Sequence, residues 1–342
     1  MTLTDCNDFL DSSVEALTNK QTAGEPISLP YDEIDPRLKL LSYSSRLTLN
    51  ACPRKFQLYR LSSTQIQLDE QREVEQEVTF SYGHAVGAGV AAVFEGKAES
   101  QIYLDMLLQW DADLLAADLK RKKSFWEAIF AIQRLTLLRE EGYLSNYELV
   151  YHQGKPAIEL SFRVILADGF EYRGFIDIVL RHKETKEVLV LECKTTSLNP
   201  DPIQYKNSAQ AIGYSVVLDK LFPELSSYSV LYLVYHTKSR EYSEFVFEKS
   251  LLQRALWLQE LLIDVKKIQL YHDFGSFPMH GESCNDFFQQ CEYYGLCTLS
   301  LDRLTKPLTQ ETLDSIENDA KKYTFVFDFF DLVTQQISKG EE

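Results

Sequence analysis

Two charged residues stand at the end of an apolar stretch near the middle of the chain. Val188–Leu191 are four consecutive apolar residues, followed by Glu192, Cys193 and Lys194. An uninterrupted apolar run predicts a strand buried on both faces, and side chains two apart on a strand project from the same face. A buried carboxylate and ammonium are unfavourable unless a metal or a phosphate compensates them. The pattern therefore predicts a ligand site, or else a charged pair exposed where the strand meets its loop.

A second carboxylate lies on the preceding apolar segment. Phe170–Leu180 ends in a hydrophobic run that carries Asp177, with Gly174 upstream of it. If the two segments are neighbouring strands, Asp177 and Glu192 lie close together. Two carboxylates plus phosphate oxygens are the usual ligands of Mg²⁺, and Lys194 beside them could stabilise developing negative charge or hold an attacking water. Gly174 would let the backbone bend or a ligand approach closely.

Composition limits the classes of protein to which the chain can belong. It has 342 residues and 45% hydrophobic content, enough for one sizeable core or two modest domains. A net charge of −16 argues against a general nucleic-acid coat protein, although an enzyme could concentrate its basic residues in one groove. No apolar run approaches the roughly 20 residues of a membrane helix, and the first residues lack the features of a signal peptide. We therefore expect a cytoplasmic protein without a membrane segment.

The spacing of hydrophobic residues, together with the positions of glycine and proline, divides the chain into four parts. We interpret them as a mobile acidic arm (1–38), a helical segment (39–145), a β-rich core (146–275), and a cysteine-rich segment with closing helices (276–342). Short loops within the core favour antiparallel neighbours. Single helices are predicted over 204–220 and 249–271. The glycine- and alanine-rich stretch Phe80–Gly96 predicts a helix in tight contact with another backbone.

The order of these segments resembles the PD-(D/E)XK nuclease superfamily, and within it the RecB-like branch. That branch includes CRISPR-associated exonucleases, the AddB nuclease domain and phage recombination nucleases. The resemblance covers residues 41–298 and begins with SYSSRLTLNACPRKFQLYRL, which is similar to the branch's opening S-x-S-x-L…C-P-R-x-F segment. The later matching positions are Glu159, Gly174-Phe175-Ile176-Asp177, Glu192-Cys193-Lys194, and Gln210 with Tyr214 in a Q-x-x-x-Y pattern.

The resemblance implies an α/β (α+β) fold, with a restriction-endonuclease-like mixed β-sheet core flanked by helices and with helical additions at both ends. It also implies a metal site. Asp177, Glu192 and the Cys193 carbonyl would bind Mg²⁺ or Mn²⁺, and Lys194 would position or activate water. Gln210 and Tyr214 share a helix face that would meet DNA or Lys194, or that simply packs on the sheet.

The implied function is that of a metal-dependent DNA nuclease, an exonuclease acting on DNA ends or single strands in recombination, repair or phage DNA metabolism. DNA is the implied partner, with a second copy of the chain or a recombination protein as further candidates. The alternative is a catalytically degenerate DNA-binding accessory protein. The opening helix carries Arg54, Lys55 and Arg60, which we interpret as lining the DNA path or, alternatively, as a solvated basic face.

One departure from the branch affects the metal site. The branch has G-x-x-x-H on the helix before the sheet, and its histidine is a metal ligand. In this chain Gly87 occupies the histidine position and His84 lies three residues earlier. His84 could substitute from the same helix face, or it could be a surface or capping residue.

The cysteines show a second departure. Clustered cysteines in a cytoplasmic protein favour metal or cluster ligation over disulfides. Related nucleases hold a 4Fe–4S cluster with one early cysteine and three late ones spaced C-x2-C-x5-C. Here the final spacing is C-x6-C-x5-C, and we expect a helical turn after Cys284 to absorb the longer interval. A 4Fe–4S cluster, zinc and free buried thiols remain open for the set Cys52, Cys284, Cys291 and Cys297; Cys6 and the Cys193 thiol are read as non-ligands.

Overall fold

The structure is a computed structural model, and it describes residues 26–30, 32–62, 70–111, 123–152, 154–225, 228–286 and 289–341. Most of the predicted acidic arm, including Cys6, lies outside these residues. No helix within them is long and apolar enough to cross a membrane.

The described residues form eleven α-helices and twelve strands, besides short 3₁₀ turns. The helices are α1 Tyr43–Ala51, α2 Pro53–Leu61, α3 Glu70–Phe94, α4 Glu99–Leu108, α5 Phe125–Glu140, α6 Pro202–Lys206, α7 Ala209–Leu221, α8 Leu251–Asp273, α9 Leu301–Leu304, α10 Gln310–Ala320 and α11 Phe329–Glu341. The strands are β1 Leu40–Leu41, β2 Tyr147–Leu149, β3 Tyr151–His152, β4 Lys155–Pro156, β5 Ile158–Ile165, β6 Glu171–His182, β7 Val188–Thr196, β8 Ser229–His236, β9 Glu241–Glu248, β10 Asn285–Asp286, β11 Gln289–Gln290 and β12 Phe325–Asp328.

The chain divides into two compact units. The first comprises Met1–Gln67, Ala167–Glu171 and Asp264–Tyr323, and the second Leu68–Leu166, Tyr172–Ile263 and Thr324–Glu342. The second unit holds Asp177, Glu192 and Lys194, whereas the first holds the four cysteines of the predicted ligand set.

A mixed sheet forms the centre of the second unit. Its strand order is β12–β5–β6–β7–β8–β9, and β2 pairs with β6. β6 and β7 are antiparallel, as their short connection predicts. β7 and β8 are parallel, because α6 and α7 return the chain to the starting edge between them. Helices flank this sheet, so the predicted mixed α/β architecture is confirmed.

One face of the sheet packs against α3, α4 and α5 through a buried apolar cluster. From β7 this cluster takes Leu189 and Leu191, and Cys193 packs against it. Since strand side chains alternate, Glu192 and Lys194 project from the other face, where Lys194 contacts α7. The sheet therefore separates the α3–α5 layer from the charged side chains.

Local signals explain most helix boundaries, but the predicted helix over 204–220 is two helices. Asp201 accepts a hydrogen bond from the Ile203 N–H, and Pro202 occupies the first position of α6. The chain leaves helical geometry at Asn207 and resumes it after Ser208, the N-cap of α7. Asn207 and Ser208 favour turns and helix caps, so the break has a local signal that the single-helix prediction did not use.

The glycine-rich helix α3 makes a close contact of a different kind from that predicted. A Cβ at Gly89 would lie 2.5 Å from Ile132 Cγ1 and 3.0 Å from Met106 Sδ. Its close neighbours are therefore side chains of α5 and α4, not another backbone.

In the first unit, a buried ion pair joins α1 to the C-terminal part of α8. Arg46 Nε lies 2.6 Å from Asp264 Oδ2, and both side chains are buried. Ile34 and Leu38, within the stretch predicted as an arm, are also buried.

Candidate active site

The strand register brings the two predicted carboxylates together. The antiparallel β6–β7 ladder pairs Ile178 with Leu191. Continuing that register by one residue places Asp177 opposite Glu192, a position at which Cβ atoms are about 4.5–5.5 Å apart. The Cys193 N–H donates to Asp177 Oδ2 at 3.3 Å, which fixes the carboxylate against β7.

A chain of polar contacts runs from Glu192 to α7. Lys194 Nζ lies 2.5 Å from Glu192 Oε1 and donates to Gln210 Oε1 at 3.3 Å. The Gln210 amide then donates to the Tyr214 hydroxyl at 2.6 Å. Gln210 and Tyr214 therefore face the charged cluster, and Gln210 contacts Lys194 directly, as one of the two predicted alternatives requires.

Three acidic side chains, Asp177, Glu192 and Glu159, interact electrostatically at the site. Burial raises the pKa of Asp177 well above its ordinary value, and the negative charges of Glu192 and Glu159 raise it further, while Lys194 and the Cys193 N–H oppose the shift. Burial and the charge of Glu192 likewise raise the pKa of Glu159. A cation placed among these groups would relieve their repulsion.

Lys194 is an ammonium in this environment. Burial favours its neutral form, but the charge of Glu192, its hydrogen bond to Glu192 and the charge of Asp177 outweigh burial and raise its pKa. Tyr214 stays a neutral phenol, because burial and the charges of Glu192 and Asp177 raise its pKa. Lys194 can therefore orient water or stabilise negative charge, but it is not set to abstract a proton.

The residues fit a divalent cation with few protein ligands. Glu192 is only 1% exposed, and its Oε2 has no hydrogen-bond partner in the described part of the chain. A buried carboxylate oxygen without a donor is unfavourable, and a metal ion is one partner that satisfies it. Among the described residues no three His, Cys, Asp or Glu side chains form a ready metal-binding group. Mg²⁺ binds through one or two carboxylates and keeps several waters, and Asp177 and Glu192 supply carboxylates of that kind.

Glu159 was matched by resemblance, but its geometry was not anticipated. It lies on β5 with φ +47°, in the left-handed region, a conformation that costs about 1–3 kcal/mol for a residue other than glycine. Its carboxylate is within electrostatic reach of both Asp177 and Glu192. No local pattern in the sequence marks a left-handed glutamate inside a strand.

Gly174 accommodates a protein side chain. A Cβ at this position would lie 2.7 Å from Cζ of Phe162, a fully buried ring. The predicted close approach is real, but the neighbour that occupies the space is Phe162. Because Gly174 has no Cβ, β5 and β6 can pack closely on the strand segment that leads to Asp177.

An aromatic stack missed by sequence analysis supports α6 beside the site. The Tyr205 ring lies 4.7 Å from that of Tyr232 and 5.7 Å from that of Phe245, between ring centroids. Burial raises the pKa of Tyr205, and the positive charge of Lys194 opposes that shift. The ring therefore lies within electrostatic reach of the Lys194 ammonium.

The structure does not bring His84 to the carboxylates. His84 is an exposed residue of α3, and α3 packs on the sheet face opposite Glu192. The Cys193 thiol also faces that layer, and burial and the charges of Asp177 and Glu192 raise its pKa to about 12. The Cys193 thiol is therefore neutral core packing, while a role for its carbonyl stays a prediction.

The three basic residues of the opening helix make contacts within the first unit. Arg54 is buried and donates to the Cys297 carbonyl, the Leu299 carbonyl and Gln57 Oε1 at 3.1, 2.8 and 2.6 Å. Lys55 pairs with Glu292 at 3.4 Å, and Arg60 donates to the Leu40 carbonyl at 2.6 Å. The contacts of Arg54 are thus internal rather than directed at DNA; DNA contacts by Lys55 and Arg60 stay predictions.

Hydrogen bonds bring the segments of three of the first unit's cysteines together. Cys284 and Cys291 flank the β10–β11 hairpin, and the Cys291 N–H donates to the Cys284 carbonyl at 2.8 Å. The expected helical turn is therefore wrong: a hairpin absorbs the longer interval. Ser283 Oγ donates to the Ala51 carbonyl at 2.7 Å, which ties this segment to the residue before Cys52.

The thiols of the first unit lie within electrostatic reach of Cys297. Burial raises the pKa of Cys297, and the charges of Cys291, Cys52 and Cys284 add to the shift, while Arg54 opposes it. Leu58, Tyr293 and Leu304 form a small apolar cluster against Cys291 and Cys297. As noted above, no three of these thiols form a ready ligand group.

Known proteins resemble this chain to very different degrees. No curated protein is significantly similar to the chain. Among solved structures, a protein from Eubacterium rectale named "Putative exonuclease" is 12% identical, with a TM-score of 0.44, over 84% of this chain and 98% of its own. A protein named SSO0001 is 12% identical, with a TM-score of 0.27, over 67% of this chain and 97% of its own. The family assignment rests instead on the sequence model of the PD-(D/E)XK nuclease superfamily, which matches residues 40–298. The chain therefore belongs to the PD-(D/E)XK nuclease superfamily.

Proposed function

We propose that the chain is a divalent-metal-dependent deoxyribonuclease that hydrolyses phosphodiester bonds as an exonuclease, at DNA ends or on single strands. Nucleases of this superfamily generally use Mg²⁺ or Mn²⁺ and act on DNA. One observation carries the proposal for this chain: Glu192 is buried beside Asp177, and one of its oxygens lacks a donor within the described residues.

Each residue of the site has a distinct role in this proposal. Asp177 and Glu192 would hold the metal, which supplies Lewis acidity and an activated water when bound. Lys194 stabilises negative charge on the scissile phosphate through its ammonium. Gln210 orients Lys194, since its Oε1 accepts from Nζ, and Tyr214 holds the Gln210 amide from the other side.

Cleavage of end-labelled DNA tests the activity. Single- and double-stranded substrates are incubated with Mg²⁺, Mn²⁺ or EDTA. We expect cutting with either metal, none with EDTA, and none by Lys194→Ala. Lys238→Ala is the matched control, because Lys238 is an exposed lysine in the turn after β8. Progressive release of mononucleotides supports exonuclease action.

Three results would each contradict part of this proposal. Internal fragments appearing first would show endonuclease action instead. DNA binding without cutting under any metal would favour the alternative of a degenerate DNA-binding accessory protein. Full activity of Lys194→Ala would show that the cut is made elsewhere.

The same proposal includes a 4Fe–4S cluster on Cys52, Cys284, Cys291 and Cys297. The donor set fits, since four thiolates are the usual ligands of such a cluster and the hairpin and the Ala51 contact bring their segments together. Metal binding can close a ligand set that the free thiols do not form. Such a cluster would hold the late cysteine segment to the opening helices of the first unit.

Iron analysis of anaerobically purified protein tests the cluster. We expect a brown protein with about four irons per chain, and loss of colour and iron in Cys291→Ser. Cys193→Ser is the control, since that thiol packs elsewhere. Colourless, iron-free protein would leave the thiols as core packing, and a single bound zinc would identify a zinc site.

A further inference from the structure

A cavity of about 550 Å³ lies in the second unit, at the end of β6 far from Asp177. Its volume falls in the range of roughly 300–1,000 Å³ typical of small-molecule sites. Arg181, which helps line it, follows Asp177 by four strand residues, roughly 13 Å along β6. The cavity is therefore separate from the metal carboxylates. The lining residues used below are Phe94, Arg139, Tyr147, Tyr151, Arg181 and Lys183.

Positive charge dominates this lining. Arg139, Arg181 and Lys183 form no ion pair with any residue that the structure describes, and Glu148 is the acidic residue among the lining side chains. Glu148 lies opposite Arg181 in the β2–β6 ladder, so the lining carries three cations and one carboxylate in a chain with a net charge of −16. Such a cluster creates a local positive potential that attracts anions.

Aromatic rings hold the two guanidinium groups. Arg139 lies 4.7 Å from the centroid of Phe94, and Arg181 lies 5.2 Å from that of Phe222. These cation–π contacts fix the guanidinium planes without consuming most of their N–H donors.

Much donor capacity therefore remains. Arg139 gives one N–H to the Tyr143 carbonyl at 2.5 Å, and Lys183 gives one to the Ser145 carbonyl at 2.7 Å. Arg181 Nε is buried and has no acceptor among the described residues. Burial lowers the pKa of Arg139, although the nearby Tyr143 opposes the shift; a partly desolvated cation of this kind gains from a bound anion.

Aromatic surface lies next to the cations. Tyr147 and Tyr151 both line the cavity, and Tyr151 is 63% exposed. A nucleic-acid base stacks on such rings in single-strand-binding proteins. Arginine and lysine beside the rings suit the phosphate of the same nucleotide.

We propose that this cavity binds one nucleotide unit, with its phosphate on Arg181 and Lys183 and its base against Tyr147 or Tyr151. The unit belongs to a DNA strand or is a free nucleotide, because both present the same chemistry. The site goes beyond the proposed function: it binds and does not cut.

Fluorescence anisotropy in EDTA tests the site without cleavage. A short labelled oligodeoxyadenylate is titrated with the full chain, with Arg181→Gln/Lys183→Gln and with Lys183→Glu, which changes an exposed residue and leaves the fold intact. The matched control is Lys220→Gln/Lys238→Gln, which removes two exposed charges that do not line the cavity.

We expect the double variant to bind about tenfold more weakly at low salt, with a salt-dependence slope smaller by about 0.7, the value for one lost phosphate contact on a single strand. Competition with dAMP identifies the source: displacement assigns the site to a free nucleotide, and no displacement assigns it to the strand. Inorganic phosphate displacing the oligonucleotide as well as dAMP does would overturn the role of the base.

Equal binding by the cavity variants and the control pair would overturn the whole inference. The result is separate from the nuclease proposal, which Lys194→Ala tests by cleavage in Mg²⁺. If the protein binds DNA through the cavity but does not cut it, only the proposed nuclease activity is refuted. If it cuts normally and all cavity variants bind DNA as well as the unaltered chain, only the nucleotide site in the cavity is refuted.

Discussion

The charge on Lys194 decides what this residue can do. Its raised pKa follows from the contact with Glu192 and the nearby charge of Asp177, which outweigh burial. A permanent ammonium beside two carboxylates acts through its field and its N–H donors, not as a base. The geometry of those donors then depends on Gln210, the other residue that accepts from Nζ.

Gln210→Ala tests this dependence. The variant keeps Lys194 and its charge but removes the acceptor that orients Nζ. We expect kcat to fall about 10- to 100-fold, as for other residues that orient a catalytic group, with little change in KM and in melting temperature. Gln204→Ala, an exposed glutamine on α6, should leave kcat unchanged. An unaltered kcat in Gln210→Ala would show that Glu192 alone positions the ammonium.

Glu192→Gln separates metal binding from catalysis. In the unaltered chain, a metal that binds only the folded state adds about 2.7 kcal/mol of stability at a concentration of 100 times its Kd. The variant loses a ligand charge and a repulsive partner of Asp177. We expect thermal stabilisation by Mn²⁺ to disappear, measured against the variant's own metal-free melting temperature, because the variant loses both the repulsion of Asp177 and the ion pair with Lys194. Retained stabilisation by Mn²⁺ would place the metal elsewhere.

At the scale of elements, the sequence predicted the two strands that carry the chemistry, but not all the packing that positions them. Apolar runs ending in Asp177 and Glu192 are local signals, and the short connection implied antiparallel pairing. The left-handed Glu159 and the hairpin between Cys284 and Cys291 depend on tertiary contacts with distant segments. Periodicity carries no information about such contacts, so the structure was needed to find them.

Gly174→Ala tests the packing of β5 against β6. The new Cβ would lie 2.7 Å from Phe162, a ring without room to move, so we expect a loss of about 1–3 kcal/mol in the free energy of unfolding. Adding Phe162→Leu should recover part of the loss, because the smaller side chain leaves room for the new Cβ and the two substitutions are therefore coupled. Gly87→Ala is the matched control, because a Cβ there meets nothing within 4 Å. Equal stability of both alanine variants would contradict the close contact.

Lys249 links α6 to the end of β9 and gives a pH prediction. Its side chain is fully buried, and Nζ donates to the Lys206 carbonyl at 2.6 Å. Burial lowers its pKa from 10.5 to about 8. Between these two values the unfolded chain binds more protons than the folded chain, so the folded state gains stability as pH rises. Below pH 8 the folded chain also binds this proton, so the free-energy cost of burying the Lys249 ammonium is present in full.

Comparison with Lys249→Met isolates this contribution. The methionine cannot titrate, so the stability of the unaltered chain relative to the variant should rise by about 3 kcal/mol between pH 7 and the alkaline limit. Urea unfolding at each pH measures the difference. Lys238→Met, at an exposed lysine, should show no such trend. A flat difference for Lys249→Met would mean that the ammonium is not buried in solution.

At the scale of the second unit, a buried charge network fastens the last helix. Asp219 on α7 is fully buried and accepts from Arg254 of α8 at 3.2 Å and from Lys339 of α11 at 2.6 Å. Gln336 donates to its other oxygen at 2.7 Å. Because α7 also carries Gln210 and Tyr214, the network supports the helix that faces the catalytic charges. The network therefore stabilises the position of Gln210 and Tyr214 at the site as well as the fold of the unit.

Asp219→Asn should be one of the most destabilising single changes in this unit. The substitution keeps the volume but leaves two cations facing a neutral amide, and breaking a buried ion pair in this way costs about 3–5 kcal/mol. Lys339→Met should cost less, since that side chain is 17% exposed and Arg254 still balances Asp219. Asp331→Asn, an exposed residue of the same helix α11, should change stability by less than about 1 kcal/mol. Urea unfolding of the three variants checks this order, and an Asp219→Asn variant as stable as Asp331→Asn would show that packing alone holds α11 in place.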